Sequence, residues 1–274
     1  AFKEERSGMN IVRFRQHARE LIRIPGLAWL ELLFTLPFKI AFQHPEVIHA
    51  HDLNALVLAY PAARLSRARI IYDAHELETA RNFGGAEVSG WRKRLTVAVE
   101  RFLIRRVVAV ITVSPSIARH LERLYQIPIP FLVLNCPPLS DIPPKGQLRA
   151  RIGLPTGKPL LLYQGGVLAG RGLPALLEAV ALLPEITLVI LGDGPVLGSV
   201  RDQAHRLGIV ERVHCLGAVP YQELLSYTCD ADLGTCLIDP ICLSYYYALP
   251  NKLFEYLMVG VPVLASDFPD LRQV

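Results

Sequence analysis

From Val47 onward, short β-branched runs alternate with longer stretches in which apolar residues recur at helical spacing, the pattern that builds parallel sheets joined by crossover helices. Val47-Ile48-His49 precedes a helical stretch from Asn54 to Leu65, and the run Arg69 to Tyr72 precedes a longer one from Val88 to Arg106. Val108 to Val113 then leads into a helix over Ser116 to Tyr125, with Pro115 where a first helical turn tolerates it. A further run, Phe131 to Leu134, ends at Asn135-Cys136-Pro137-Pro138, and Pro143, Pro144 and Gly146 follow, which marks a linker. The alternation restarts with strands over Leu160 to Tyr163, Thr187 to Leu191, Val213 to Leu216 and Asp232 to Leu237. Between and after them lie helices over Leu173 to Leu183, Val196 to Leu207, Tyr221 to Thr228 and Asn251 to Val259, then a strand over Val261 to Ala265. The expected organisation is α/β: one Rossmann-like unit over residues 1–137, a linker and the start of a second over 138–158, and the second unit over 159–274.

The flanks read differently. Residues 1 to 23 look like a basic helical stretch with no convincing strand, so the strand that opens a doubly wound domain is expected to be missing. The last residues, through Asp267, Phe268 and Pro269 to Val274, offer a loop and no closing helix, so the sequence reads as a fragment at both ends. Ile24 to Phe42 is strongly apolar, but Pro25, Glu31, Pro37 and Lys39 interrupt it short of a membrane span. It reads either as a buried helix pair or as an interfacial segment, with Trp29 and Phe34 on the apolar side and Arg23 and Lys39 toward lipid phosphates.

Composition narrows the classes. With 274 residues, 51% hydrophobic, the chain can bury two domain cores, and a net charge of +4 is small beside that of a nucleic-acid binder. The 5 cysteines are odd in number and form no Cys-x-x-Cys pair, which argues against a disulfide framework or zinc knuckle and for a reducing, cytoplasmic setting. No signal-peptide pattern is visible at the start. The basic run Arg92-Lys93-Arg94 with Arg101, Arg105 and Arg106 is either a solvated helix face or a contact for anionic lipid.

In open α/β sheets ligands sit beyond the carboxyl ends of the strands. After Leu160 to Tyr163 comes Gln164-Gly165-Gly166, then Gly170-Arg171-Gly172, a glycine-rich turn opening a helix with one cation inside it. Such a turn lets backbone N–H groups and a guanidinium meet a phosphate, although packing alone also produces glycine-rich turns. Gly192-Asp193-Gly194-Pro195 reads as a tight turn at the same edge. In Tyr247-Ala248-Leu249-Pro250-Asn251-Lys252-Leu253-Phe254-Glu255, Pro250 precedes a helix whose first turn carries Asn251 and Lys252, suited to a diphosphate. Glu255, on the same face as Lys252, is spaced to meet ribose hydroxyls; an ordinary surface salt bridge explains that pair equally well in isolation.

The whole string resembles the closing donor-binding motif of retaining glycosyltransferases with the GT-B fold, a family that includes sucrose synthases and many bacterial surface-polysaccharide transferases. Tyr72-Asp73-Ala74-His75-Glu76, Ile111-Thr112-Val113-Ser114, Gly165-Gly166 through Arg171-Gly172, Gly192 through Pro195, and Pro250 through Glu255 occur in the family's order, so the resemblance spans nearly the entire chain. It implies two Rossmann-like domains with parallel sheets facing a cleft. It implies that Arg171 stands where most members place a lysine that grips the donor diphosphate, and Gly166 where many have an arginine. Glu255 matches the second glutamate of the Glu-x7-Glu motif, which binds ribose, whereas Tyr247 replaces the first, whose sugar-holding role would pass to Tyr247 or to backbone near Leu249 and Pro250. His75 matches a cleft-facing histidine that contacts the donor.

The implied reaction is transfer of a hexosyl group, with retention and without metal or other cofactor, from a nucleoside-diphosphate sugar, UDP-linked by preference, to a polysaccharide or glycolipid acceptor. Charge stabilisation of the departing diphosphate is its main catalytic element. An anionic membrane surface is a further candidate partner, which would make the protein peripheral on the inner face; nucleic acid is not one. The rival readings are a nucleotide-sugar epimerase of the same fold, a donor-binding remnant, and a metal-dependent hydrolase in which His49, His51 and Asp52 join His75 and Glu76 around a divalent cation.

Overall fold

The structure, a computed structural model, describes residues 2–6, 8–13, 25–80, 82–83, 86–87 and 90–274. Strands β1 (Phe2–Arg6) and β2 (Met9–Arg13) pair antiparallel, Phe2 opposite Arg13. This corrects the helical reading of the opening residues. Gly8, at φ 76°, supplies the left-handed residue that so tight a reversal needs. Residues 14–24, with Arg23, lie outside the described residues.

Helix α1 (Pro25–Ala41) replaces the expected buried pair: it runs straight through Pro37 as one element. One face packs against the helix that follows β3. Trp29, Leu30, Phe34, Phe38 and Phe42 remain exposed, Phe34 by 71% and Phe42 by 76%.

The first domain continues through β3 (Val47–His51), α2 (Asp52–Ser66) and β4 (Arg69–Ala74). A short β5 (Asn82–Phe83) and β6 (Ala86–Glu87) hairpin and α3 (Gly90–Ile104) follow, then β7 (Ala109–Thr112), α4 (Pro115–Tyr125) and β8 (Phe131–Leu132). Its sheet is parallel in the order β3-β4-β7-β8. Inside this core sits a buried carboxylate, Glu100, which accepts from the Tyr72 hydroxyl at 2.8 Å and the Tyr125 hydroxyl at 2.6 Å. Burial raises the Glu100 pKa, and the two phenols oppose that rise by bonding the ionised form. The triad ties α3 to β4 and α4.

The second domain opens with α5 (Gln147–Ile152), a short helix inside the stretch read as linker. Its first N–H groups, those of Gly146, Leu148 and Arg149, donate to the carboxylate of Asp230. Next come β9 (Leu160–Gln164), α6 (Leu173–Leu182), β10 (Thr187–Leu191), α7 (Leu197–Arg206) and β11 (Val213–Gly217). The chain then returns through α8 (Tyr221–Thr228), β12 (Leu233–Cys236), α9 (Leu243–Tyr246), α10 (Asn251–Met258) and β13 (Val263–Ala265). The sheet is parallel in the order β11-β10-β9-β12-β13. Every residue of β9 and β10 is buried, as central parallel strands covered on both faces require. Strand order reverses between β9 and β12, so the crevice at their carboxyl ends is the topological switch point.

The domains meet across a polar clasp. Asp270, 1% exposed, accepts from the backbone N–H of Ser116 at 3.1 Å and from its hydroxyl at 2.8 Å, at the first turn of α4. The Ser114 hydroxyl, just beyond β7, donates to the carbonyl of Tyr247 at 2.9 Å. Tyr247 and Leu243 add apolar contact with the first core.

Candidate functional site

At the switch point the segment after β9 turns outward through Gly165, at φ 110°, whose N–H donates to the Leu191 carbonyl at 2.9 Å. The loop after β10 lies directly against it: a Cβ on Gly192 would come 1.9 Å from the Gly165 carbonyl oxygen, and one on Gly194 2.1 Å from that of Val167. The two glycine-rich turns therefore pack backbone to backbone, and Gly192 and Gly194 are glycines for that reason. Gly165 and Gly166 stay exposed at the rim. Tyr163 connects the rim to what lies beneath, its hydroxyl donating to the Gly166 carbonyl at 2.6 Å.

Lys252 lies over the Tyr163 ring, its Nζ 4.2 Å from the centroid. The residue is 8% exposed, and among the described residues its ammonium has no hydrogen-bond partner. Burial is the main cause that lowers its pKa from 10.5 to about 8; Cys236 and Glu255 pull upward and the Arg171 guanidinium pushes down. The Tyr163 ring face offsets part of the lost hydration, and the unmade hydrogen bonds of the ammonium suit an incoming anion. Arg171 stands at the same place, its guanidinium 4.3 Å above the Tyr245 ring. Gly170 and Gly172 flank it in left-handed conformation and press against Ile241 and Leu237.

Glu255, three residues along α10 from Lys252, is also buried. Its carboxylate accepts from Gln164 Nε2 at 2.6 Å, while Gln164 Oε1 accepts from the Thr228 hydroxyl at 2.8 Å. Burial raises the Glu255 pKa, and the Gln164 bond and Lys252 lower it. Gln164 is thus the residue that fixes this acid. In the sequence it is only the residue before two glycines; a polar side chain closing the continuous apolar run Leu160 to Tyr163 is the signal available there.

Other expected site residues divide. Pro250 holds extended backbone at the start of α10, which has no side-chain cap, and Asn251 is exposed there. The Leu249 side chain belongs to a core with Cys236, Ile238, Leu253, Phe268 and Leu271. Tyr247 packs toward the first domain, its ring 6.1 Å from that of His120, in the role of an interdomain contact.

His75 makes its described contacts in the first domain. Its Nε2 lies 3.1 Å from His51 Nδ1 and 3.4 Å from Asp73 Oδ2, and its backbone N–H donates to Asp52 Oδ1 at 3.3 Å. His49 Nε2 reaches the same Asp73 oxygen at 3.1 Å. The carboxylate at the centre of these imidazoles is Asp73, the in-register partner of His51 on β4; Asp52, expected among the ligands of the rival metal set, is used to hold the turn instead.

Comparison with known proteins bears on both halves. A family model described as Glycosyl transferase 4-like domain matches residues 1–137, and one described as Glycosyl transferases group 1 matches residues 144–274. The chain is 27% identical over 250 residues to a glycogen synthase of Mycobacterium tuberculosis, covering 84% of this chain and 54% of that protein. It is 25% identical over 273 residues to the 2-deoxystreptamine N-acetyl-D-glucosaminyltransferase of Streptomyces fradiae, covering 92% and 63%. The chain therefore spans between about half and two thirds of the length of these relatives. Sucrose-phosphate synthase from Thermosynechococcus elongatus superposes with a TM-score of 0.79 at 19% identity, over 99% of this chain and 69% of that one. Anabaena HepE in complex with UDP and glucose does so with a TM-score of 0.69 at 19% identity, over 89% and 66%. The fold is GT-B.

Proposed function

The chain belongs to the group 1 glycosyl transferases, and on that premise we propose that it forms the donor-binding body of a retaining glycosyltransferase that moves a hexosyl group from a UDP-sugar to a polysaccharide or glycolipid acceptor. The observation that carries the reading is the buried ammonium of Lys252, without a hydrogen-bond partner among the described residues, beside Arg171 at the switch point. A diphosphate supplies what that ammonium lacks. Arg171 takes phosphate oxygens in a bidentate fork, and the uncapped start of α10 adds backbone N–H groups. Glu255, held by Gln164, accepts from the ribose hydroxyls. As the sugar–phosphate bond breaks, charge grows on the leaving diphosphate, and these fixed donors stabilise it while the acceptor hydroxyl attacks on the same face and gives its proton to the departing phosphate oxygen. No metal takes part in this donor chemistry. The cocrystallised UDP of HepE supports the choice of nucleotide.

The row Leu30, Phe34 and Phe38 on α1, continued by Phe42 just past its end and with Trp29 beside it, favours peripheral contact of the first domain with an anionic membrane. Among the described residues no helix is long and apolar enough to cross one.

Calorimetric titration with UDP, GDP and ADP, with and without magnesium, tests the donor reading. UDP binding without metal, lost in Arg171→Ala, is the expected outcome; no binding of any nucleotide would overturn it. Product analysis with and without an added glycan acceptor separates transfer from epimerisation. Sedimentation with anionic vesicles, repeated on Phe34→Ser/Phe38→Ser, tests the membrane contact.

A further inference from the structure

We propose that His49, His51 and Asp73 form a binding site for one divalent first-row transition-metal ion, with His75 alongside as a fourth contact. The ligand atoms of the first three lie within 4.8 Å of one another. Asp73 Oδ2 is 3.1 Å from His49 Nε2, 3.3 Å from His51 Nδ1 and 3.4 Å from His75 Nε2, and the last two nitrogens are 3.1 Å apart.

Hydrogen bonding alone serves this cluster poorly. One carboxylate oxygen would have to accept from three imidazole N–H groups, and the His51 and His75 nitrogens would then turn two N–H groups toward each other. If one of that pair accepts instead, it gives up its bond to Asp73. A cation removes the conflict, because every facing atom can present a lone pair to it. The spacing also suits one: ligands about 2.1 Å from a metal in tetrahedral or octahedral array lie roughly 3.0–3.4 Å from their neighbours.

Backbone geometry fixes the set. His49 and His51 are two apart on β3 and so share a face, and Asp73 is the residue paired with His51 on β4. Asp73 is buried, which leaves its carboxylate oxygen dependent on these neighbours. The turn after β3 is held by Asp52, itself left-handed at φ 62°, through its bond to the His75 N–H. Two imidazoles and one carboxylate select a zinc-, iron- or cobalt-like ion over magnesium or calcium, which take oxygen shells. The His49 and His51 side chains are 44% and 59% exposed, so coordination positions stay open to an oxygen ligand from outside. The site lies at the carboxyl edge of the first sheet, the edge from which Ser114 reaches the second domain. It uses neither Arg171 nor Lys252, and shares with the glycosyl-transfer reading only His75, its peripheral fourth contact.

The test is titration of the untagged chain with Co²⁺ in the absence of nucleotide, followed by its visible d–d absorption. Expected are one Co²⁺ per chain, displacement by Zn²⁺, and no effect of excess Mg²⁺. His51→Gln should weaken binding by about tenfold or more, and His49→Gln/His51→Gln should abolish the spectrum. Both histidines are exposed, so these variants keep the fold, which thermal unfolding verifies; Asp73→Asn provides a second, independent loss. Absence of stoichiometric uptake, or equal uptake by the wild type and the double histidine variant, would overturn the proposal.

Discussion

Lys252 couples the site to pH in a way that can be measured before any substrate is known. Its folded pKa, about 8, lies below its ordinary 10.5. Between those values the unfolded chain binds more protons at Lys252, so the contribution of this residue to stability rises with pH through that window, against the buried cysteines and tyrosines, whose raised pKa values act the other way. Replacing the ammonium with an apolar chain removes the penalty: Lys252→Met should stabilise the unliganded protein at neutral pH by on the order of 3 kcal/mol, and the wild type should gain on the variant as pH rises from about 8 to 10.5. Urea unfolding across pH reads both, and the same variant should fail to bind UDP. Gln164→Leu should leave Glu255 without its 2.6 Å donor and weaken UDP by about tenfold, seen by titration. Arg171, Lys252 and Glu255 lie in strings whose order is itself informative, and the fold brings the three close enough for their charges to act on one another. Gln164 and Asp73 were not, because what they touch is decided by a neighbouring strand or helix far away in sequence. The Tyr247 contact with the first domain, its ring 6.1 Å from that of His120, has no counterpart in the sequence pattern.

At the scale of elements, strands and helices with clear period were predicted within a few residues from Val47 to Ala265. The exceptions have separate causes. α5 has little periodicity of its own and sits among prolines; it exists because Asp230, on the far side of α8, accepts from its first-turn N–H groups. Asp230→Ala should therefore cost about 1–3 kcal/mol in chemical unfolding, more than a surface cap, since it leaves several donors unpaired at once. The β1–β2 hairpin was hidden by its charges, which resemble an exposed helix face until Gly8 is weighed as a turn. α1 was legible as apolar but not as exposed, because hydropathy alone does not say which surface will be covered.

For the whole molecule, the two-unit plan followed from the restart of alternation after the prolines, whereas the contacts joining the units had no sequence signal. Ser116 and Asp270 are ordinary surface residue types until the fold brings them together in a buried contact. Asp270→Ala should loosen this junction, increasing the radius of gyration in small-angle scattering and lowering the unfolding midpoint, while Ser116→Ala, which keeps the backbone donor, should have the smaller effect.

That clasp also sets a rule for recombination. The first turn of α4 belongs to one domain and its carboxylate partner to the other, so a chimera that joins this first half to a relative's second half inherits an incomplete helix end unless an acid returns at the position of Asp270. Halves of this protein are therefore interchangeable only as matched pairs at Ser116 and Asp270, however well each half folds by itself.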